Sequence, residues 1–284
     1  MALVVNTNIA SLTAQLNLSR NQNSLQTTLQ RLSSGLRVNS AKDDAAGLAV
    51  AEGFTSQIRG NTQAERNAND GISLGQTAEG ALASIAGNEQ RIRELAVQSA
   101  NGSISNTNRS QLQLEVDQLT QEISRIVQTT NFSGTNLLSG ASTLTFQVGA
   151  DGTATNQVSV TTTNLAASGS AGLFAYNASL TATGTIDLTS SGSASAALAN
   201  LDSDISRVTS TRATFGAVQN RFEAVISNLQ NYVTNLSASR SRITDADFAA
   251  ETANLTRAQI LQQAGTAILS QANTLPQTAL TLLR

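Results

Sequence analysis

Asp43 and Asp44 are adjacent carboxylates, the residue type that serves as general acid and base or clamps a divalent cation. Either job needs the two side chains to converge, and neighbours on a helix point about 100° apart. A helix N-terminus accounts for both, because carboxylates there accept from the free first-turn amides. Ser and Thr hydroxyls are plentiful, but a nucleophilic Ser needs a base beside it and the chain has no His. With no Cys either, there is no thiolate, no disulfide framework and no Cys-based metal site, and cysteine usage assigns no redox compartment. The expectation is a chain without catalysis, cofactor or bound metal. The densest charged run, Glu89-Gln90-Arg91-Ile92-Arg93-Glu94-Leu95, reads on its own as a solvated helix face, with Gln90/Glu94 and Arg91/Leu95 as i,i+4 neighbours.

The elements behind these residues are helices. Among 284 residues, 40% are hydrophobic but only 3% aromatic, which suits thin Ala- and Leu-lined helix seams better than a thick core. A net charge of −2 with 13% charged residues implies no nucleic-acid surface and no acidic tail. Met1-Ala2-Leu3-Val4-Val5-Asn6 lacks a basic start and turns polar at once, so it does not read as a cleaved secretory signal. No stretch has the ~18 apolar residues of a membrane span, so no membrane insertion is expected.

Helical period runs from Thr7 to Gly35, where glycine supplies a C-terminal cap. Ser40 and Asp43 have capping-box spacing, predicting a second, long helix that runs to Ala100 with a break near Gly71 or Gly75. Asn101-Gly102 gives a turn. Leu112, Val116, Leu119, Ile123 and Ile126 then predict a third helix, folded back antiparallel. After Asn131-Phe132-Ser133-Gly134 the period changes. Leu144, Phe146 and Val148 alternate with polar residues, as do Val158 and Val160, which predicts a β-hairpin over about 142–162. The following Ser/Thr/Gly-rich stretch, about 163–198, reads as a surface excursion with a strand-like piece at Ile186–Leu188. Helical period returns from Leu201 through Phe215, Phe222, Leu229 and Leu236, and Thr244-Asp245-Ala246-Asp247 repeats the capping-box pattern before a last helix.

Both ends carry apolar heptads. Leu25, Leu29, Leu32 and Leu36 line one stripe near the N-terminus; Ala258, Leu261, Gly265, Ile268, Ala272, Leu275, Ala279 and Leu282 line another, with Pro276 expected to interrupt or bend the final turns. These stripes are expected to pack against each other and against other copies. The fold class is therefore mainly α: a long helical hairpin or coiled-coil rod with a small β-hairpin excursion at the middle of the chain. Two domains follow, a terminal one of residues 1–42 with 243–284 and a helical body of residues 43–242, with no large outer domain.

Long blocks of this chain resemble bacterial flagellin. They are Leu29-Gln30-Arg31-Leu32-Ser33-Ser34-Gly35-Leu36-Arg37-Val38-Asn39-Ser40-Ala41-Lys42-Asp43-Asp44-Ala45-Ala46-Gly47-Leu48-Ala49, Gln90 to Asn101, Gly216-Ala217-Val218-Gln219-Asn220-Arg221-Phe222, and Arg257 to Gly265 with the ending Leu282-Leu283-Arg284. The resemblance covers roughly residues 1–149 and 201–284. It implies a secreted homo-oligomer of many copies, the helical filament of the extracellular flagellum used for motility. In it the terminal segments form an inner coiled-coil tube, disordered in the free monomer and ordered on polymerisation. It also implies export in unfolded form through the flagellar secretion apparatus, with a chaperone on the C-terminal segment, and contacts to the filament cap and hook-junction proteins.

The same resemblance implies two host readings. Arg91, Leu95 and Glu115 match the positions read by Toll-like receptor 5, and Asp43 and Gly47 match positions in the segment read by the plant flagellin receptor. Leu36 and Val38 stand where plant-active versions carry Ser and Ile. The nearest alternative is a hook-filament junction protein. A chain polymerising by itself separates the two. An adhesin or enzyme with a site in residues 161–200 is the alternative from another class.

Overall fold

The computed structural model describes residues 7–167 and 172–281, with side chains 275–281 left undescribed. The expectations for Leu275 and Leu282 lie outside the described side chains. Five helices dominate: α1 (Ile9–Ser34), α2 (Ala45–Ala100), α3 (Asn106–Thr129), α4 (Ser191–Thr244) and α5 (Phe248–Thr281). Between α3 and α4 lie two antiparallel strand pairs, β1 (Asn131–Phe132) with β2 (Thr135–Asn136) and β3 (Thr143–Gln147) with β4 (Gln157–Thr161). The chain forms two compact units, Met1–Ile58 with Thr234–Arg284 and Arg59–Val233.

Helix ends follow side-chain chemistry. Asn8 Oδ1 accepts from the Ser11 amide at 3.1 Å to start α1, and Gly35, at φ 72°, ends it by donating to the Arg31 carbonyl. The start of α2 differs from the expected box. Asp44 is the cap, accepting from the Gly47 amide at 2.8 Å, while Asp43 reaches back to the Ser40 amide and hydroxyl, both 2.9 Å, and to the Asn39 amide at 3.2 Å. Asp43 thus builds the turn that delivers Asp44, and Ser40 stays outside the helix. A parallel correction holds at α5, where Asp247 caps the Ala249 amide at 2.9 Å and Thr244 is the last residue of α4. The expected interruption at Pro276 is also absent, since α5 continues to Thr281.

In the unit Arg59–Val233, α2 does not break at Gly71 or Gly75. A Cβ on Gly71 would stand 2.5 Å from Phe222 Cζ, and one on Gly75 would stand 2.9 Å from Gln219 Cγ. These glycines let α4 approach α2 closely, and that packing outweighs glycine's helix cost of about 1 kcal/mol. On α4, Leu201, Val208, Phe215, Phe222, Leu229 and Leu236 are buried at every seventh position. The first four of them, Leu201, Val208, Phe215 and Phe222, meet Leu82, Ile85, Ile92 and Leu95 of α2 and Val116, Ile123 and Val127 of α3 in the core of this unit. The predicted hairpin closes it: Leu144 pairs with Val160, Phe146 with Val158, and the Phe146 ring meets Phe222 edge-on at 5.4 Å. The sequence reading had not included β1–β2, whose turn places Ser133 at φ 49° and Gly134 at φ 83°, the two positive φ values that a tight hairpin turn requires.

Within the stretch expected to be a surface excursion, residues 163–167 and 172–188 form a strap laid along the core. Leu165, Leu173, Ala175, Ile186 and Leu188 are buried. No strand forms at Ile186–Leu188. Instead the Gln113 carboxamide takes the place of a neighbouring strand, donating to the Ile186 carbonyl at 2.8 Å and accepting from the Leu188 amide at 2.7 Å. Asp117 accepts from the Gly184 amide at 2.7 Å, Ser124 from the Asn177 amide at 3.0 Å, and Asp204 from the Phe174 and Ala175 amides, both at 2.9 Å. Buried backbone polar groups must be paired, and here side chains of α3 and α4 do the pairing.

Candidate assembly and recognition surfaces

In the terminal unit, α1 and α5 pack through a seam of small and polar side chains. The shielded positions of α1 recur as Ser11, Ala14, Leu18, Asn21, Leu25, Thr28 and Leu32, and those of α5 as Glu251, Leu255, Ala258, Gln262, Gly265, Leu269 and Ala272. Both sets keep heptad spacing. Polar bonds fix the register: Asn8 Nδ2 donates to the Ala272 carbonyl and Asn21 Nδ2 to the Ala258 carbonyl, at 2.9 and 2.8 Å, and Arg31 meets Glu251 at 3.2 Å. Beyond the helix ends, the Arg37 amide donates to the Thr244 carbonyl at 2.7 Å and the Ala246 amide to the Gly35 carbonyl at 2.9 Å.

The expected stripe residues divide between this seam and the outside. Leu25, Leu32 and Leu36 are half-buried, and Ala258 and Ala272 are buried. Leu29 is exposed, as are Leu261 at 52% and Ile268 at 60%. Ile9, Leu12 and Leu16 of α1 and Phe248 and Ile260 of α5 join them as large apolar side chains left in solvent. On α5 the expected Ala258, Gly265 and Ala272 coincide with the shielded series, whereas Leu261 and Ile268 each fall one position before its members Gln262 and Leu269. A Cβ on Gly265 would already lie 3.3 Å from Leu18 Cδ1.

The recognition residues fall in two places. Asp43 is held below the usual carboxylate range by the Ser40 hydroxyl and amide. Gly47 lies directly against the Asp44 carboxylate, and a side chain there would require that carboxylate to shift. In the other unit, Arg91 and Glu115 sit together on the surface, Nε to Oε1 at 2.8 Å, with Glu94 3.0 Å from the same guanidinium. Leu95 does not share that surface. It is 2% exposed and belongs to the core.

The solvated-face reading of residues 89–95 holds for Arg91, Arg93 and Glu94 but fails for Glu89, which is 0% exposed with no hydrogen-bond partner on either carboxylate oxygen. Burial, with Asp204 adding to it, pushes the Glu89 carboxyl up to about 9. A signal was legible: Leu82, Ile85, Glu89, Ile92 and Ala96 alternate three and four residues apart, which makes Glu89 a core position. Among the described residues no group of three or more His, Cys, Asp or Glu is placed to hold a metal ion, and no helix is long and apolar enough to cross a membrane.

Terminal helices that shield each other along one seam while holding further bulky apolar side chains outward define a self-assembling structural subunit. Residues 5–143 match the model of the bacterial flagellin N-terminal helical region, and residues 198–283 that of the C-terminal helical region. The chain belongs to the bacterial flagellin family. A flagellin of Xenorhabdus nematophila is 47% identical over 313 aligned positions that cover 100% of both chains. One from Serratia marcescens is 53% identical over 160 residues, 56% of this chain and 46% of that protein. The crystal structure of Bacillus cereus flagellin aligns with a TM-score of 0.49 at 28% identity, covering 62% of this chain and 94% of that one.

Proposed function

We propose that the chain is the repeating subunit of the extracellular flagellar filament, a structural protein with no reaction to catalyse. The observation that carries this reading is the exposed apolar set on α1 and α5, from Ile9 to Leu29 and from Phe248 to Ile268, on helices already paired with each other. Side chains of that size left in water favour burial against another surface, and a second copy offers the same pair of helices. Stacked copies would line an inner tube with the unit Met1–Ile58 and Thr234–Arg284. Export in unfolded form under a chaperone, and addition beneath a filament cap, complete this reading through family membership. The exposed Arg91–Glu115 pair and the exposed Asp43 are the members of the recognition set that a host receptor would reach. Deleting residues 1–35 or 247–284 should leave a folded helical body that forms no filaments in assembly-promoting salt. Normal filaments from both truncations, seen by electron microscopy, would overturn the proposal.

A further inference from the structure

Glu89 on α2 is a carboxyl group enclosed in the core between Ile85 and Ile92, with both oxygens unpartnered. Asp204 on α4, also fully enclosed, lies across from it in the antiparallel α2–α4 register that the Glu79–Arg212 and Arg93–Asp202 pairs mark on either side, and its charge acts on Glu89. The two are not equivalent. Asp204 spends its oxygens on the Phe174 and Ala175 amides, one each, and so ties down the strap. Arg207, on the same helix, favours its charged form while burial opposes it. From α3, Asp117 is engaged by Gln113 and the Gly184 amide, and the strap itself brings backbone amides to this place.

We propose that Glu89 and Asp204 form a proton-held latch on residues 172–188: while Glu89 keeps its proton the strap stays docked, and losing it releases the strap. A neutral Glu89 lets Asp204 carry charge into its two amide bonds without a second anion beside it. Opening the strap would bring water to both groups and return Glu89 to ordinary acidity near 4.5, against about 9 when docked. The docked state therefore holds a proton that the open state gives up. Between those two values each pH unit makes opening about tenfold easier, with docking firmest at the acid end and no further loss above the upper value.

Hydrogen exchange of the full chain tests this between about pH 6 and about pH 8, inside that window. After correction for intrinsic rates, protection of the peptide holding Phe174 and Ala175 should fall about 100-fold across it. An α3 peptide around Ile123 should change far less. Glu89→Gln, which cannot ionise, should remove that loss, and Glu89→Leu should do the same if the amide proves unfavourable in the core. A pH-independent strap in the wild type, an equal fall in the α3 peptide, or an undiminished slope in the variants would each overturn the latch.

Discussion

Replacing Leu261 and Ile268 together by Gln separates assembly from folding. Both lie on α5 beside shielded positions, yet remain 52% and 60% exposed in the subunit. Gln keeps a helix propensity close to that of Leu, so the helix itself has little reason to change. Fully burying a Leu or Ile side chain is worth ~1.5–3 kcal/mol, and roughly half of that is still unclaimed at each site, about 0.8–1.5 kcal/mol apiece. Loss of both would raise the critical concentration for polymerisation by roughly 10- to 100-fold at ~1.4 kcal/mol per tenfold. The assay is sedimentation of polymer from serial dilutions, alongside thermal unfolding of the unassembled variant. Polymerisation at the wild-type concentration would refute the assignment of this face to contacts between copies. A large fall in subunit stability would show instead that the two residues serve the α1–α5 pair.

Phe222→Ala should cost ~3–5 kcal/mol in denaturant unfolding, because the ring is fully buried, meets Phe146 edge-on and fills the space left by Gly71; a loss below about 1 kcal/mol would contradict that packing. Arg91→Ala should shift a Toll-like receptor 5 reporter response to higher subunit concentration. It should leave unfolding nearly unchanged, since the exposed pairs with Glu94 and Glu115 are screened by solvent, and an unaltered dose response would remove Arg91 from the contact.

Apolar period alone located the long helices and the β3–β4 hairpin, because each buries its stripe on a partner with the same repeat. The strap was not legible. Its backbone partners Gln113, Asp117 and Asp204 lie 29 to 75 residues away along the chain, and no local pattern announces them. Cap positions were displaced because Asp43 satisfies a turn before the helix rather than the helix itself. At the termini apolar bulk does not separate seam from surface: Leu25 and Leu32 lie in the seam beside polar Asn21 and Thr28, while Leu29, Leu261 and Ile268 are left outward. In Glu89 the charge concealed a heptad position whose spacing belonged to the core.

The strap has one more consequence. It draws its order from posts on the helices rather than from itself, so the span between two posts is free to vary. Gln128 holds the Ala178 carbonyl at 3.0 Å and Gln121 the Ala182 carbonyl at 3.2 Å, and residues 178–181 between them face solvent. Extra chain entering at Leu180–Thr181 would leave every tether in place, and doubling a loop's length costs only about 0.6 kcal/mol. This bight is a natural seat for foreign peptide, whether grafted by an engineer or acquired in descent, that each copy of the subunit would then display.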